Sequence, residues 1–402
     1  MRIIIHSDLN NFFASVECLK KPWLKDVPMA VAGDSELRHG VILAKNIHAA
    51  AYGVKTAEPI WAAKRKCPDL ITVPPNHDDY IIISRKVRKI YEEYSNNIEA
   101  FGIDEYWIDI SDIAKDFETG RQIADEIRTK IYEQIGITAS CGVSFNKVFA
   151  KLGSDIKKPD ATTVISDKNF KEIVWPLDAD KLLFVGRSTN KSLSQMNIHT
   201  IGDIANTDER SLELIFGKHG KSLWQNANGL DHSPVKDVDL PSIVKSVSHS
   251  ITLPRDIIND DDVRVVLLSL SEKVSGRLRR LDMVCSTVQI YVRDFELYSY
   301  ERQQKLSLPN RTASAIFESA FDLFKANHTS GKPIRSLGVR ATDLSYDSVQ
   351  QLSISKIHDD LEKYERIEAV TDGIREKFGI TALKRGVMLT SNVLDGFETK
   401  NE

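Results

Sequence analysis

Apolar and polar positions alternate along this chain with two different periods, and the first strand appears at once. Residues 2–9 predict a strand, with Ile4, His6 and Asp8 on one face and Ile3, Ile5 and Ser7 on the other. A helix over 11–20 follows, then short strands over 27–32 and 41–45, split by the polar stretch 33–40. Pro59 opens a helix carrying Ile60, Trp61 and Ala63, a position that suits proline. Pro74 and Pro75 break the chain, and 80–94 reads as helical. Residues 98–111 predict a hairpin bent near 102–105. Ile123, Ile127 and Ile131 recur at helical spacing, 137–144 is a strand, and 146–156 is a helix. This order predicts an α+β layer with helices on one face of an antiparallel-rich sheet.

From about residue 167 to 230 the pattern changes to short helices separated by glycine turns. Residues 231–243 are polar, contain two prolines and read as a linker. Strands over 245–252, 283–294 and 336–343 and helices over 261–281 and 312–326 predict a second α+β unit. A charged helix over 356–378 and a polar end follow.

Composition adds bounds. A chain of 402 residues is too long for one core and implies two to four units. The cysteines Cys18, Cys67, Cys141 and Cys285 are far apart, which argues against a zinc site or disulfide framework and for a reducing compartment. No apolar run is long enough for a signal peptide or a membrane span. Net charge is −3, which does not advertise nucleic-acid binding. Its distribution is uneven: residues 244–346 hold 15 Lys/Arg against 12 Asp/Glu, about +3, leaving about −6 elsewhere.

The chemistry is concentrated in three carboxylates. Asp8 ends the first strand, while Asp104 and Glu105 adjoin at the hairpin bend. Adjacent carboxylates at a tight bend are costly unless positive charge lies between them. Mg²⁺ prefers hard oxygen ligands and keeps sites open for water and phosphate. Spacing alone leaves a solvated turn as the commoner explanation. The surrounding text changes that. His6-Ser7-Asp8-Leu9-Asn10-Asn11-Phe12-Phe13-Ala14-Ser15-Val16-Glu17 resembles the opening motif of Y-family DNA polymerases of the DinB branch (the impB/mucB/samB family). Ile103-Asp104-Glu105-Tyr106-Trp107-Ile108-Asp109 resembles their second motif. Gly142-Val143-Ser144-Phe145-Asn146-Lys147, then Ala150-Lys151, Ser154-Asp155 and Lys158-Pro159, resembles their third. Order and spacing match the family, from residue 1 to about 345.

The resemblance implies an error-prone, lesion-bypassing, template-directed DNA polymerase. Its fold would be α+β and multidomain: a palm (1–20 and 77–166), small fingers (21–76), a helical thumb with helix-hairpin-helix turns (167–230), a linker (231–243), an α+β little finger (244–345) and a tail (346–402). Asp8, Asp104 and Glu105, helped by the Leu9 carbonyl, would hold two Mg²⁺ ions, replaceable by Mn²⁺. Phe13 would be the steric gate that excludes a ribose 2′-hydroxyl. Asn10, Asn11, Phe12, Phe13 and Lys158 would line the nucleotide site. DNA contacts would come from Gly186, Arg187 and Ser188 in one hairpin and Gly217, Lys218, Gly220 and Lys221 in the next. In the little finger they would come from Lys245, Ser246, Ser248, Arg335 and Arg340, on opposed strands. Gln351-Leu352-Ser353-Ile354 resembles the peptide that docks bacterial polymerases on the sliding clamp, with Ser355 where an aromatic usually stands. Partners would be primer-template DNA, dNTPs and that clamp; the protein would be a bacterial cytoplasmic monomer.

Two departures stand out. Phe184 occupies the first glycine of the family's Gly-x-Gly thumb turn, and Ile47 and Ala50 replace a Tyr and an Arg that usually grip the triphosphate. Lys45 is the expected substitute cation. Ala44, Ala49, Ala50, Ala51 and Ala57 would give the new base pair a loose roof and low fidelity. Two rivals remain at this point: a catalytically inactive accessory protein of the same fold, and a nucleotidyl cyclase, which would not need the thumb hairpins.

Overall fold

The computed structural model describes residues 1–33, 40–237, 243–346, 357–379, 381–389 and 393–394. Residues 351–354 lie outside them. Two compact units emerge, one from Met1–Gly33 with Val41–Pro241 and one around Ser242–Glu402. Among the described residues no helix is long and apolar enough to cross a membrane.

The first unit is built on a five-stranded sheet. Its order is Ile98–Ala100, Glu105–Asp109, Ile4–Leu9, Ala139–Ser144 and Thr162–Ile165, antiparallel except for the last pair. The central Ile4–Leu9 strand is buried at every position, its polar His6, Ser7 and Asp8 included, which reflects cover on both faces. Helices His77–Glu92 and Phe117–Ile135 cover the Ile3 and Ile5 face, with Val87, Ile90, Ile127 and Ile131 in its core. The helix Lys147–Ile156 covers the other face, where Ala150 meets Ile4 and Trp107. Helices on one face only is therefore incorrect. The reason is Gly142: a Cβ there would stand 1.9 Å from the Ala150 carbonyl oxygen and 2.5 Å from the Ser154 nitrogen. Only glycine lets that helix lie so close. Residues of the expected linker run back over this sheet. Val235 joins Ile4 and Trp107, and the Lys236 amide donates to Glu99 at 3.0 Å.

A three-stranded sheet (Ile42–Lys45, Met29–Ala32, Ile71–Val73) with helices Ile47–Ala51 and Ile60–Lys66 forms a small subdomain. Asn46 pins it. Its Oδ1 accepts from Ala49 N and Met29 N, and its Nδ2 donates to the carbonyls of Leu24 and Val27. The helices Arg187–Gln195, Ile201–Asn206, Glu209–Phe216 and Lys218–Ala227 share one apolar core.

The second unit is a four-stranded antiparallel sheet ordered Ser299–Asn310, Met283–Asp294, Ile334–Tyr346, Ser246–Ile257. Helices Asp260–Arg280 and Ala313–Asn327 cover one face. The stretch expected as a tail belongs to this unit. Met388, Val393 and Leu394 enter its core, and Glu368 of helix Ile357–Phe378 is buried. Glu368 accepts from Ala313 N at 2.9 Å and Ser275 Oγ at 3.0 Å, and pairs with Arg279.

Candidate active site

Strand register assembles the site. Asp8 pairs directly with Glu105, and His6 with both Trp107 and Gly142, so Asp8, His6 and Glu105 share the face covered by helix Lys147–Ile156. Asp104 precedes Glu105, and its carbonyl accepts from the Leu9 amide at 3.1 Å. Two lysines stand on these carboxylates. Lys158 Nζ lies 2.6 Å from Asp8 Oδ2 and 2.8 Å from Asp155 Oδ1, and Lys151 pairs with Glu105 Oε2.

Burial pushes the Asp8 carboxyl up to about 6 despite the Lys158 ion pair. Burial and the Glu105 charge raise Asp104 as well. Burial works against Glu105 too, but the Lys151 hydrogen bond and the His6 ring facing its Oε2 at 3.5 Å prevail and hold it at about 2. Among the described residues no three His, Cys, Asp or Glu side chains converge as a ready-made metal cage. The donor set nevertheless fits divalent cations. It consists of hard carboxylate oxygens gathered at two adjoining strands, with Asp8 and Asp104 pushed up by burial and Asp8 and Glu105 paired with lysine cations.

A stability test follows from Asp8. Its folded-state pKa is raised from 3.8 to about 6, so ionising it costs stability. That cost is absent below about pH 4, grows between about pH 4 and 6, and is complete above about pH 6. In chelator at pH 8, Asp8→Asn is expected to be more stable than wild type by roughly 1–3 kcal/mol, with the difference vanishing near pH 4. Thermal unfolding at both pH values checks it; an equal difference at both would contradict it.

Phe13 stacks on Tyr80, ring centroids 4.2 Å apart and planes at 11°, and meets the His77 edge at 5.8 Å. The Tyr80 hydroxyl donates to buried Glu17 at 2.7 Å, so the Phe13 ring is braced from behind. Sequence reasoning missed Tyr80, whose chemistry shows only once the helix His77–Glu92 meets the helix Phe12–Lys20. Two neighbours of Phe13 turn their side chains inward. Phe12 is buried in the core, packed with Tyr80 and Phe13. Asn10 is also buried: Nδ2 donates to Ser140 Oγ at 2.9 Å and Oδ1 accepts from Asp160 N at 2.9 Å, so its side chain is a strut. Asn11 is exposed and takes a left-handed conformation before the helix.

Ile47 and Ala50 are both exposed on the helix Ile47–Ala51, and neither carries a donor. Lys45 ends the adjoining strand, with Nζ 3.5 Å from Thr56 Oγ1 and no carboxylate partner among the described residues. Of the roof alanines, Ala49 belongs to the core and is corrected; Ala50, Ala51 and Ala57 are exposed.

Gly186, Arg187 and Ser188 open the helix Arg187–Gln195 on the surface, with no side-chain cap on the first amides. Phe184 takes φ 74, the conformation a glycine would adopt, and is exposed. Gly217 has φ 62 between its two helices, and Lys218 and Lys221 are exposed beside it. Gly220 is buried, and a Cβ would lie 2.0 Å from the Leu212 carbonyl oxygen, so its missing side chain serves helix packing. In the second unit Arg340 pairs with Ser248, and Thr342 with Ser246, on adjacent antiparallel strands. Ser250 and Thr252 continue that polar row opposite Gly338 and Ser336. Lys245 is exposed just before the strand, while Arg335 falls at a register shift and is half-buried.

With this geometry in hand, relatives decide the family. The impB/mucB/samB family profile matches residues 7–155, and that of the family's C-terminal domain matches 244–354. A DNA polymerase IV of Acetivibrio thermocellus is 46% identical over 98% of this chain and 99% of its own length. The chain belongs to the Y family of DNA polymerases, on the DNA polymerase IV branch. A DNA polymerase-iota thumb-domain profile matches residues 182–231. DNA polymerase IV 1 of Bacillus subtilis is 35% identical over 96% of this chain and 93% of its own length. A solved Y-family polymerase chimera overlays with a TM-score of 0.77 at 24% identity, covering 86% of this chain and 100% of that one, which shows the Y-family fold. Membership makes the chain a DNA-directed DNA polymerase of the translesion kind, with DNA as its partner. Enzymes of this family use divalent metal ions.

Proposed function

We propose that this Y-family polymerase adds dNTPs to a primer 3′-hydroxyl at Asp8, Asp104 and Glu105, with two Mg²⁺ ions as cofactors. The pairing of Asp8 with Glu105, next to Asp104 on the adjoining strand, carries the assignment. All three carboxylates are in place, which speaks against an inactive accessory protein. When bound, the ions supply the positive charge that lowers the pKa of the attacking hydroxyl and stabilises the leaving oxygen. The chain's residues do the rest. Lys151 and Lys158 keep the carboxylates ionised, and Lys158 is near enough to the site to offer its charge to a triphosphate. Phe13, braced by Tyr80, fills the volume of a 2′-hydroxyl. Thumb amides at Gly186 to Ser188 and the Ser246, Ser248 and Arg340 row grip phosphates without reading sequence. The domain limits given above, a cytoplasmic monomeric state and clamp docking through residues 351–354 belong to the same proposal. A clamp pull-down weakened by Leu352→Ala with Ile354→Ala checks the last of these. Primer extension with Mg²⁺ and dNTPs tests the whole.

Lys45 is assigned the role of the missing arginine. Its charge has no carboxylate partner among the described residues, and it adjoins the helix that lacks both usual donors. A lysine is a point charge and cannot make a bidentate fork, so dNTP binding is expected to be loose. Lys45→Ala should lower kcat/KM for dNTPs about tenfold or more, the size of a lost charged hydrogen bond of about 1.5–3 kcal/mol. Unaltered dNTP kinetics would remove Lys45 from the site.

A further inference from the structure

His6 is a fully buried polar side chain that polymerase chemistry does not yet use. Its ring is fixed on three sides. Nδ1 lies 2.8 Å from Ser154 Oγ, whose one proton, with the Lys151 carbonyl also 2.7 Å away, can be given to Nδ1 and so leave the ring proton on Nε2, and Trp107 packs edge-on with centroids 5.3 Å apart. Ser154 reaches the ring because Gly142, paired with His6, admits the helix Lys147–Ile156 against the sheet. The remaining ring nitrogen, Nε2, is buried, has no hydrogen-bond partner, and faces Glu105 Oε2 at 3.5 Å. A shift of about half an ångström would close a normal hydrogen bond. Lys151 holds the same oxygen, and among the described residues no hydrogen bond reaches Oε1.

We infer that His6 is a positioning residue for Glu105: held by Ser154, it aims Nε2 at Oε2 and so turns Oε1 toward the metal. This rests on Glu105 being a metal ligand. Outer donors of this kind orient a ligating carboxylate, and their loss costs about 10–100-fold in metal affinity. A buried histidine with an unsatisfied nitrogen is otherwise an expensive choice for a strand core.

The test is direct Mn²⁺ binding, read from the free-Mn²⁺ electron paramagnetic resonance signal. The protein is held with primer-template DNA ending in a dideoxynucleotide and with dNTP, so no turnover occurs. His6→Phe, which keeps a ring against Trp107, should raise the Mn²⁺ dissociation constant about tenfold or more. His6→Gln, whose amide nitrogen can stand where Nε2 stands, should remain within about threefold of wild type, and this variant also serves if His6→Phe folds poorly. In a Glu105→Ala background, His6→Phe should add nothing. Wild-type Mn²⁺ affinity in His6→Phe, equal weakening by Gln and Phe, or a full further loss in the Glu105→Ala background would overturn the role of His6. Unchanged Mn²⁺ affinity in Glu105→Ala alone would instead overturn the reading of Glu105 as a ligand.

Discussion

Alanine at Asp104 or Glu105 should reduce nucleotide addition on the order of a thousandfold or more while primed DNA stays bound. The two effects separate because they arise from different physics. Catalysis depends on charge placed where it develops in the transition state, and losing one such group typically costs about 10²–10³ or more. The DNA contacts proposed above are spread over the thumb and the second unit, at residues such as Arg187, Lys218 and Arg340, away from these carboxylates in sequence. Glu105 is the sharper case. It pairs with Asp8 in register and is held ionised at about 2 by His6 and Lys151. Its removal leaves Lys151 with only Asp155, 4.0 Å away, and the site one negative charge short. Single-turnover extension and a gel-shift titration on the same primer-template check both halves. Wild-type extension by either variant would remove the carboxylate assignment. Loss of DNA binding in parallel with activity would show that the variant had unfolded or that binding runs through these groups.

Phe13→Ala should collapse discrimination against ribonucleotides by a factor of roughly ten to two hundred, the range of about 1–3 kcal/mol for a packing contact in a pocket. The ring is half-buried and cannot retreat. It is stacked at 4.2 Å on Tyr80, which is itself tied to Glu17. Rigidity is what makes a gate selective, since a ring free to rotate would yield to the extra hydroxyl. Loss of a clash predicts that dNTP use falls less than rNTP use rises. Tyr80→Phe, which cuts the tie to Glu17 but keeps the stack, should give a weaker change of the same sign. Steady-state kcat/KM for matched rNTP and dNTP pairs measures the ratio, and a ratio unmoved by Phe13→Ala would show that the gate lies elsewhere.

Much of this was legible in the sequence because the chemistry sits on short, strongly patterned elements. The strand ending in Asp8, the bend at Asp104 and Glu105, and the isoleucine stripe of the helix Phe117–Ile135 all follow from periodicity and motif. What escaped was what depends on a third dimension. The edge strand Ser299–Asn310 was missed because its residues are mostly exposed and polar, with no apolar alternation to mark it. The strand Thr162–Ile165 is only four residues long, and Ile71–Val73 only three. Helical cover on the second face of the sheet depends on one glycine, Gly142, whose missing side chain says nothing about what lies against it. Motif adjacency also hides which side chains of residues 10–13 are buried. Successive residues on a helix point about 100° apart, so Phe13 is half-exposed where Phe12 is core, and before the helix the Asn10 side chain is a strut. His6 was hidden for the converse reason, since a histidine on an apolar strand face reads as core until its nitrogens are followed to Ser154 and Glu105.

Template dependence is the central claim, and one measurement addresses it directly. Four primer-templates identical except for the first unpaired template base are incubated with Mg²⁺ and each dNTP singly. The nucleotide added most efficiently should follow the template base in all four, with no product in chelator and none from Asp104→Ala. No extension on any template, or addition of one nucleotide whatever the template base, would contradict the assignment of this site as a DNA-directed polymerase centre.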